Sequence, residues 1–65
     1  MVKFKFLLVT PYGSHTNTHY AKTAERAKET VELWDKQFGR SGYRVKLLEI
    51  KDASDEKVPS GYTVW

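Results

Sequence analysis

Hydrophobic and polar positions alternate through the first ten residues of the chain. One side of an extended chain there carries only apolar side chains, those of Val2, Phe4, Phe6 and Leu8. The other side carries Lys3, Lys5, Leu7 and Val9. Because successive side chains of a strand point to opposite faces, this period of two predicts a strand over residues 2–10 with one fully apolar face.

A turn and a second strand are predicted to follow. Pro11 presets its own φ angle and Gly13 permits a positive φ, so these residue types favour a turn. Residues 16–21 are rich in threonine and tyrosine and favour a strand that forms a hairpin with the first. The alternative is a helix that begins at Asn17 or Thr18, but the threonines there are poor helix formers.

The next segment has the period of a helix. Apolar residues recur there at spacings of three and four, at Ala24, Ala27, Val31, Trp34 and Phe38. Thr23 is a good N-cap, and Gly39 is expected to end the helix in the C′ position. The spacing therefore predicts an amphipathic helix between these two residues, with its charged side chains opposite the apolar stripe.

Residues 43–51 alternate again and predict a further strand. Its two sides carry Tyr43, Val45 and Leu47 on one and Arg44, Lys46, Leu48 and Ile50 on the other. Residues 52–60 are polar and contain Pro59, which predicts a loop. The apolar tail over residues 61–65 consists of β-prone residues and favours a short fourth strand.

Together these elements predict a single α+β domain over residues 1–65, in the order ββαβ. A right-handed crossover from the second strand to the third passes over the first, which gives a three-stranded antiparallel sheet of order 2-1-3. We expect an ordered core over residues 2–51, with a loop and apolar tail over 52–65. The predicted core residues are Phe4, Phe6, Leu8, Ala27, Val31, Trp34, Phe38, Val45 and Leu47.

The segment Ala21-Lys22-Thr23-Ala24-Glu25-Arg26-Ala27 joins the second strand to the helix. It resembles a junction of small ββαβ domains encoded by bacteria and phages. In those domains an alanine closes the second strand, a serine or threonine caps the helix, and glutamate and then alanine follow. The resemblance covers about residues 3–51. It implies the fold and the kind of genome, and it carries no catalytic or binding residue over to this chain.

The composition of the chain excludes several kinds of site and of segment. The chain has 65 residues, no cysteine, and a net charge of +3 from 11 basic and 8 acidic residues. Disulfides and thiolate metal sites are excluded. The longest apolar run near the N-terminus, over residues 6–9, is too short for a signal peptide or a membrane span. We therefore expect a soluble cytoplasmic protein without a membrane partner.

Enzyme and metal-site motifs are missing from the sequence. Because nucleophile-elbow, Walker and dinucleotide-binding patterns are absent, we predict a non-enzymatic protein without a cofactor or metal. His15 and His19 would lie about 13 Å apart on a strand, with no carboxylate or cysteine beside them in sequence. Residues 39–42, Gly-Arg-Ser-Gly, match the GxxG loop of KH domains. No second helix follows them, so a helix end and a turn are favoured.

The sheet face opposite the helix is the predicted binding surface. Alternation exposes both aliphatic and basic side chains there, and the aliphatic ones exceed what a small monomer usually exposes contiguously. An aromatic residue at position 65 indicates that the tail docks on the domain or on a partner. The predicted partner-binding residues are Lys5, Leu7, Val9, Arg44, Lys46, Leu48, Ile50, Tyr62 and Trp65.

The open face has three candidate occupants: the tail itself, a second copy of the chain, and another protein. We expect a small interaction module, from a phage or another mobile element, that binds a protein or itself through this face, an edge strand or the tail. The alternative is a weak nucleic-acid-binding domain, in which Tyr20 stacks on a base. Its phosphate contacts would come from Lys3, Lys5, Arg44, Lys46 and Lys51.

Overall fold

The computed structural model describes all 65 residues of the chain. Strand β1 is Val2–Thr10, strand β2 is Gly13–Ala21, helix α1 is Ala24–Gly39 and strand β3 is Arg44–Asp52. The strands form an antiparallel sheet of order β2-β1-β3, and α1 packs on one face of it. The predicted α+β class, ββαβ order and strand order are confirmed.

A tight turn joins β1 to β2. Pro11 and Tyr12 connect Thr10 to Gly13, which are paired across the hairpin. The second strand therefore begins at Gly13, earlier than the predicted residue 16. Gly13 has a φ of 143°, a conformation that side chains with a Cβ rarely adopt. The hairpin register runs without a shift to its far end, so the turn fixes which residues of β2 face the helix.

Helix α1 begins at the predicted cap and ends slightly later than predicted. The hydroxyl of Thr23 accepts a hydrogen bond from the backbone N–H of Arg26 at 3.1 Å. At the other end Gly39 is still helical, and Arg40 caps the helix with a φ of −64°. The prediction that Gly39 takes the C′ position is wrong, because the chain turns at Gly42, which has a φ of 83°.

The core lies between α1 and the apolar face of the sheet. Its buried residues are Phe4, Phe6, Ala21, Ala27, Val31 and Val45. Phe4 is fully buried, and its ring centroid lies 5.9 Å from that of Phe6 and 6.0 Å from that of Trp34. Phe38 was expected in this core but is 41% exposed. The reason is that α1 lies chiefly over β3, so the side of its last turns that faces β2 is left uncovered.

One carboxylate ties α1 to β3. Asp35 accepts hydrogen bonds from the backbone N–H of Val45 at 2.9 Å and from Nε of Arg44 at 3.1 Å. The Val45 N–H, assisted by the Arg44 side chain, holds the pKa of Asp35 below its ordinary value. This contact also occupies a backbone donor at the start of β3.

A β-bulge in β3 changes which residues face the helix. The register against β1 shifts between Lys5 and Phe6, and Leu48 is left without a partner. Beyond the bulge, Ile50 pairs with Phe4 and packs against the core. The prediction that Ile50 shares the open face with Leu48 is therefore wrong, because one inserted residue moves every later side chain to the other face.

Candidate functional site

The open face of the sheet is more polar than alternation predicted. The bulge brings Glu49 and Lys51 to this face in place of Ile50. The strand registers place on it Lys3, Lys5, Leu7, Val9, Ser14, Thr16, Thr18, Tyr20, Arg44, Lys46, Glu49 and Lys51. Of the four aliphatic residues predicted there, Leu7 and Val9 keep their place, while Leu48 is half-exposed at the bulge. The face is therefore a weak candidate for apolar docking.

Charges on the open face are partly neutralised. A shallow basin of about 200 Å³ is lined by Lys3, Lys5, Thr18, Glu49 and Lys51. Nζ of Lys3 lies 3.1 Å from the Glu56 carboxylate, whose hydrogen bond raises the pKa of this lysine. Nζ of Lys51 lies 3.5 Å from the Glu49 carboxylate. Lys5 and Lys46 form no ion pair, so they are the cations most available to an anionic ligand.

The tail lies along the outer edge of β2 and reaches the open face at Tyr20, whose ring Tyr62 contacts. The N–H of Trp65 donates to the carbonyl of Tyr20 at 2.9 Å, and the N–H of Lys22 donates to the carbonyl of Trp65 at 3.1 Å. The predicted fourth strand does not form. The tail makes only a single parallel bridge, between Val64 and Tyr20. Of the three candidate occupants, the tail therefore covers one end of the open face, at Tyr20, and its backbone contacts with Tyr20 and Lys22 do not extend to Leu7 or Val9.

The aromatic side chains of the tail pack around the Tyr20 end of β2, with Trp65 on the helix side of the sheet and Tyr62 at the strand edge. The indole of Trp65 stands perpendicular to that of Trp34, with ring centroids 5.2 Å apart, and packs against the core. The ring of Tyr62 contacts those of His19 and Tyr20 edge-on, at 5.8 and 5.7 Å. Tyr20 is only 6% exposed, so the prediction that it stacks on a base is wrong.

Beyond the tail, the helix side of the sheet carries an apolar groove of about 300 Å³. Its lining residues are Phe6, Leu8, Asn17, His19, Trp34, Phe38, Val45 and Trp65. The groove exists because α1 lies chiefly over β3, and the tail covers only the far end of β2. Among the predicted partner-binding residues, Trp65 lines this groove and Tyr62 lies beside it.

His19 is a residue of this site that sequence patterns did not predict. Its imidazole stacks on Phe6 with centroids 5.5 Å apart, and it lies 5.8 Å from the ring of Trp34. Burial lowers the pKa of His19, and its Nδ1 atom is buried without a hydrogen-bond partner. The signal was present in the hairpin, because the observed register sets His19 opposite Phe4, on the apolar side.

Protonation of His19 is expected to destabilise the fold. Burial lowers the pKa of His19 in the folded chain, while its pKa in the unfolded chain is about 6.5, so the unfolded chain binds more protons between these two values. The contribution of neutral His19 to the free energy of unfolding is therefore complete above about pH 6.5. It is lost as the pH falls through the pKa of His19 in the folded chain. Asp35 titrates below this window, because its pKa is also lowered.

Urea denaturation at about pH 7.5 and about pH 5.5 measures this effect, and His19→Phe should reduce the difference between the two. His15→Phe is the matched control, because His15 is exposed on the same strand. An equal pH dependence in the wild type and in His19→Phe would contradict the assignment.

Comparison with known proteins adds no further assignment. No family model, no curated protein and no solved structure matches this chain. No group of three or more His, Asp or Glu side chains lies close enough to hold a metal ion. Helix α1 has 16 residues and many charges, so the structure contains no helix suited to crossing a bilayer.

Proposed function

We propose that this chain is a small non-enzymatic interaction module that binds another protein through the apolar groove. The observation that carries the proposal is the exposed aromatic surface at the groove. Phe38 is 41% exposed there, and Trp34 and Trp65 are half-buried beside it. Aromatic residues are enriched at protein interfaces, where they fill pockets at the centre of the contact.

The chemistry of the lining supports binding rather than catalysis. The polar side chains that line the groove are those of Asn17 and His19. The free Nδ1 of His19 is buried, and the wall around it is aromatic, so neither a nucleophile nor a charged partner lies beside it. A volume of about 300 Å³ has room for one large apolar side chain of a partner, with Asn17 at the rim to hydrogen-bond its backbone.

Selection of binding peptides from a random display library tests this proposal. We expect the selected peptides to share an aromatic or long aliphatic anchor and to shift the indole N–H resonances of Trp34 and Trp65. Phe38→Asp should weaken their binding by at least about tenfold, as loss of an interface anchor does. Leu33→Asp is the matched control, because Leu33 is 53% exposed on the same helix but does not line the groove.

Peptides that bind both aspartate variants equally well would contradict the groove as the binding surface. Far-UV circular dichroism of both variants shows whether each one is folded. Since both side chains are already substantially exposed, we expect both variants to fold.

Weak nucleic-acid binding through the open face is a second candidate function. The bulge favours it, because Lys51 joins Lys3 and Lys5 on this face where an aliphatic residue was expected. The carboxylates of Glu49 and Glu56 oppose it, because they pair with two of these lysines. Anisotropy of a labelled oligonucleotide at two salt concentrations separates the candidates. Phosphate contacts weaken steeply with salt, whereas apolar docking does not.

A further inference from the structure

Over residues 14–18, the outer edge of β2 lacks the devices with which proteins usually protect the edge of a sheet. Strand β2 has no charged residue and no proline, and it pairs with β1 without a bulge. Unpaired N–H and C=O groups on such an edge are a template for another strand. The other edge strand, β3, is protected, because it carries lysines, the bulge at Leu48 and the Asp35 carboxylate on the N–H of Val45.

The unpaired part of this edge can be placed by residue. The carbonyl of Tyr20 points outward, because it accepts the N–H of Trp65 from the tail. Backbone groups of residues two apart on a strand point to the same side, so those of Ser14, Thr16 and Thr18 also point outward. No backbone hydrogen bond beyond the strands and helix reaches these three residues. The free edge therefore runs over residues 14–18.

We propose that this free edge pairs with the same edge of a second copy of the chain. The two β2 strands would run antiparallel across a two-fold axis near Thr16, and the two sheets would become one continuous sheet. In this register Ser14 of one copy faces Thr18 of the other. The three facing pairs each exchange two backbone hydrogen bonds, so the contact between the two copies would have about six hydrogen bonds.

The absence of side-chain charge along this edge makes it compatible with a second copy. A two-fold interface brings each surface patch against itself, so a charged edge would set like charges opposite one another. Along residues 14–18 no side chain is charged, and the segment Ser-His-Thr-Asn-Thr is therefore compatible with its own copy. The other edge strand, β3, carries the basic residues Arg44, Lys46 and Lys51, and the free part of β2 has no such residue.

The tail sets the length of the contact. Trp65 already occupies the edge at Tyr20 and Lys22, so a second copy cannot pair beyond Thr18. The proposed pairing uses only the part of β2 that the tail leaves free. The domain also gains from such an association, because a chain of 65 residues with nine buried residues has little core of its own.

Sedimentation equilibrium of the full chain at concentrations up to about 1 mM tests the proposal. We expect the wild type to approach twice the chain mass. Thr16→Lys should raise the dimer dissociation constant by at least about tenfold, because it sets two ammonium groups opposite each other at the two-fold axis. Leu48→Lys is the matched control, because it adds the same charge at a half-exposed position on the other edge strand.

Three results would overturn the inference. A wild type that stays monomeric over the whole range would do so, and so would equal dimerisation of Thr16→Lys and Leu48→Lys. A dimer that Phe38→Asp abolishes and Thr16→Lys leaves intact would assign self-association to the groove. The inference concerns a different surface from the groove, so each proposal can fail while the other stands.

Discussion

Replacing Phe4 with alanine is expected to lower the free energy of unfolding by about 3 to 5 kcal/mol. Phe4 is fully buried, and its ring lies about 6 Å from those of Phe6, Trp34 and His19. Removing a buried phenylalanine ring typically costs about 3 to 5 kcal/mol. A domain of this size has a free energy of unfolding of only about 3 to 10 kcal/mol, so one such loss removes a third of it or more.

Far-UV circular dichroism and urea denaturation measure the effect of Phe4→Ala. Leu7→Ala is the control, because Leu7 lies on the same strand but on the open face, where it is half-buried. We expect this control to lose about 1 kcal/mol and to keep a cooperative transition. A Phe4→Ala chain that melts within a few degrees of the wild type would show that the core does not depend on this ring.

Removal of residues 61–65 is expected to lower the free energy of unfolding by about 3 kcal/mol. Burying part of a large aromatic side chain such as Trp65 contributes about 2 kcal/mol. Its perpendicular contact with Trp34 adds about 1 kcal/mol. The two backbone hydrogen bonds to Tyr20 and Lys22 are lost as well, but water replaces them at this open edge, so their net effect is small.

Denaturation of a chain that ends at Ser60, followed by the fluorescence of Trp34, measures this loss. Trp65→Ala in the full-length chain is the matched variant, because it keeps the backbone bonds and removes only the indole. We expect it to account for most of the change. A truncated chain as stable as the full one would mean that the tail contributes nothing to the fold in solution.

The sheet order and the helix could be predicted from the sequence because local signals agree there. The period of two over residues 2–10, the turn types at Pro11 and Gly13 and the cap at Thr23 all favour the same ββαβ order. With a right-handed crossover from the second strand to the third, these elements are compatible with one strand order. The apolar face of β1 and the core residues opposite it follow from the same alternation.

The bulge could not be predicted, and it decides the character of the open face. Leu47, Leu48 and Ile50 are all apolar, so alternation is satisfied whether or not one of them is skipped. The pairing of β3 with β1 decides which residue is skipped, and at the bulge this pairing joins residues more than 40 positions apart in the sequence. Because side chains alternate along a strand, skipping Leu48 replaces Ile50 by Glu49 and Lys51 on the open face.

The groove could not be predicted because it depends on where α1 and the tail lie over the sheet. Helical periodicity indicates that Phe38 lies on the apolar side of the helix. It does not indicate whether β2 or β3 lies beneath that side. The position of Trp65 depends on a backbone pairing with Tyr20, which has no local sequence signal. His19 could have been assigned, because the hairpin register alone puts it on the apolar side.

The bulge has a consequence for how the chain tolerates insertion and deletion. Leu48 is the residue that β1 skips, and its neighbours pair with Phe6 on one side and Lys5 on the other. A chain one residue shorter, lacking Leu48, would have an unbroken β3 with every remaining side chain on its present face. At this position β3 can therefore differ in length by one residue between related sequences while the core and the charged face keep their composition.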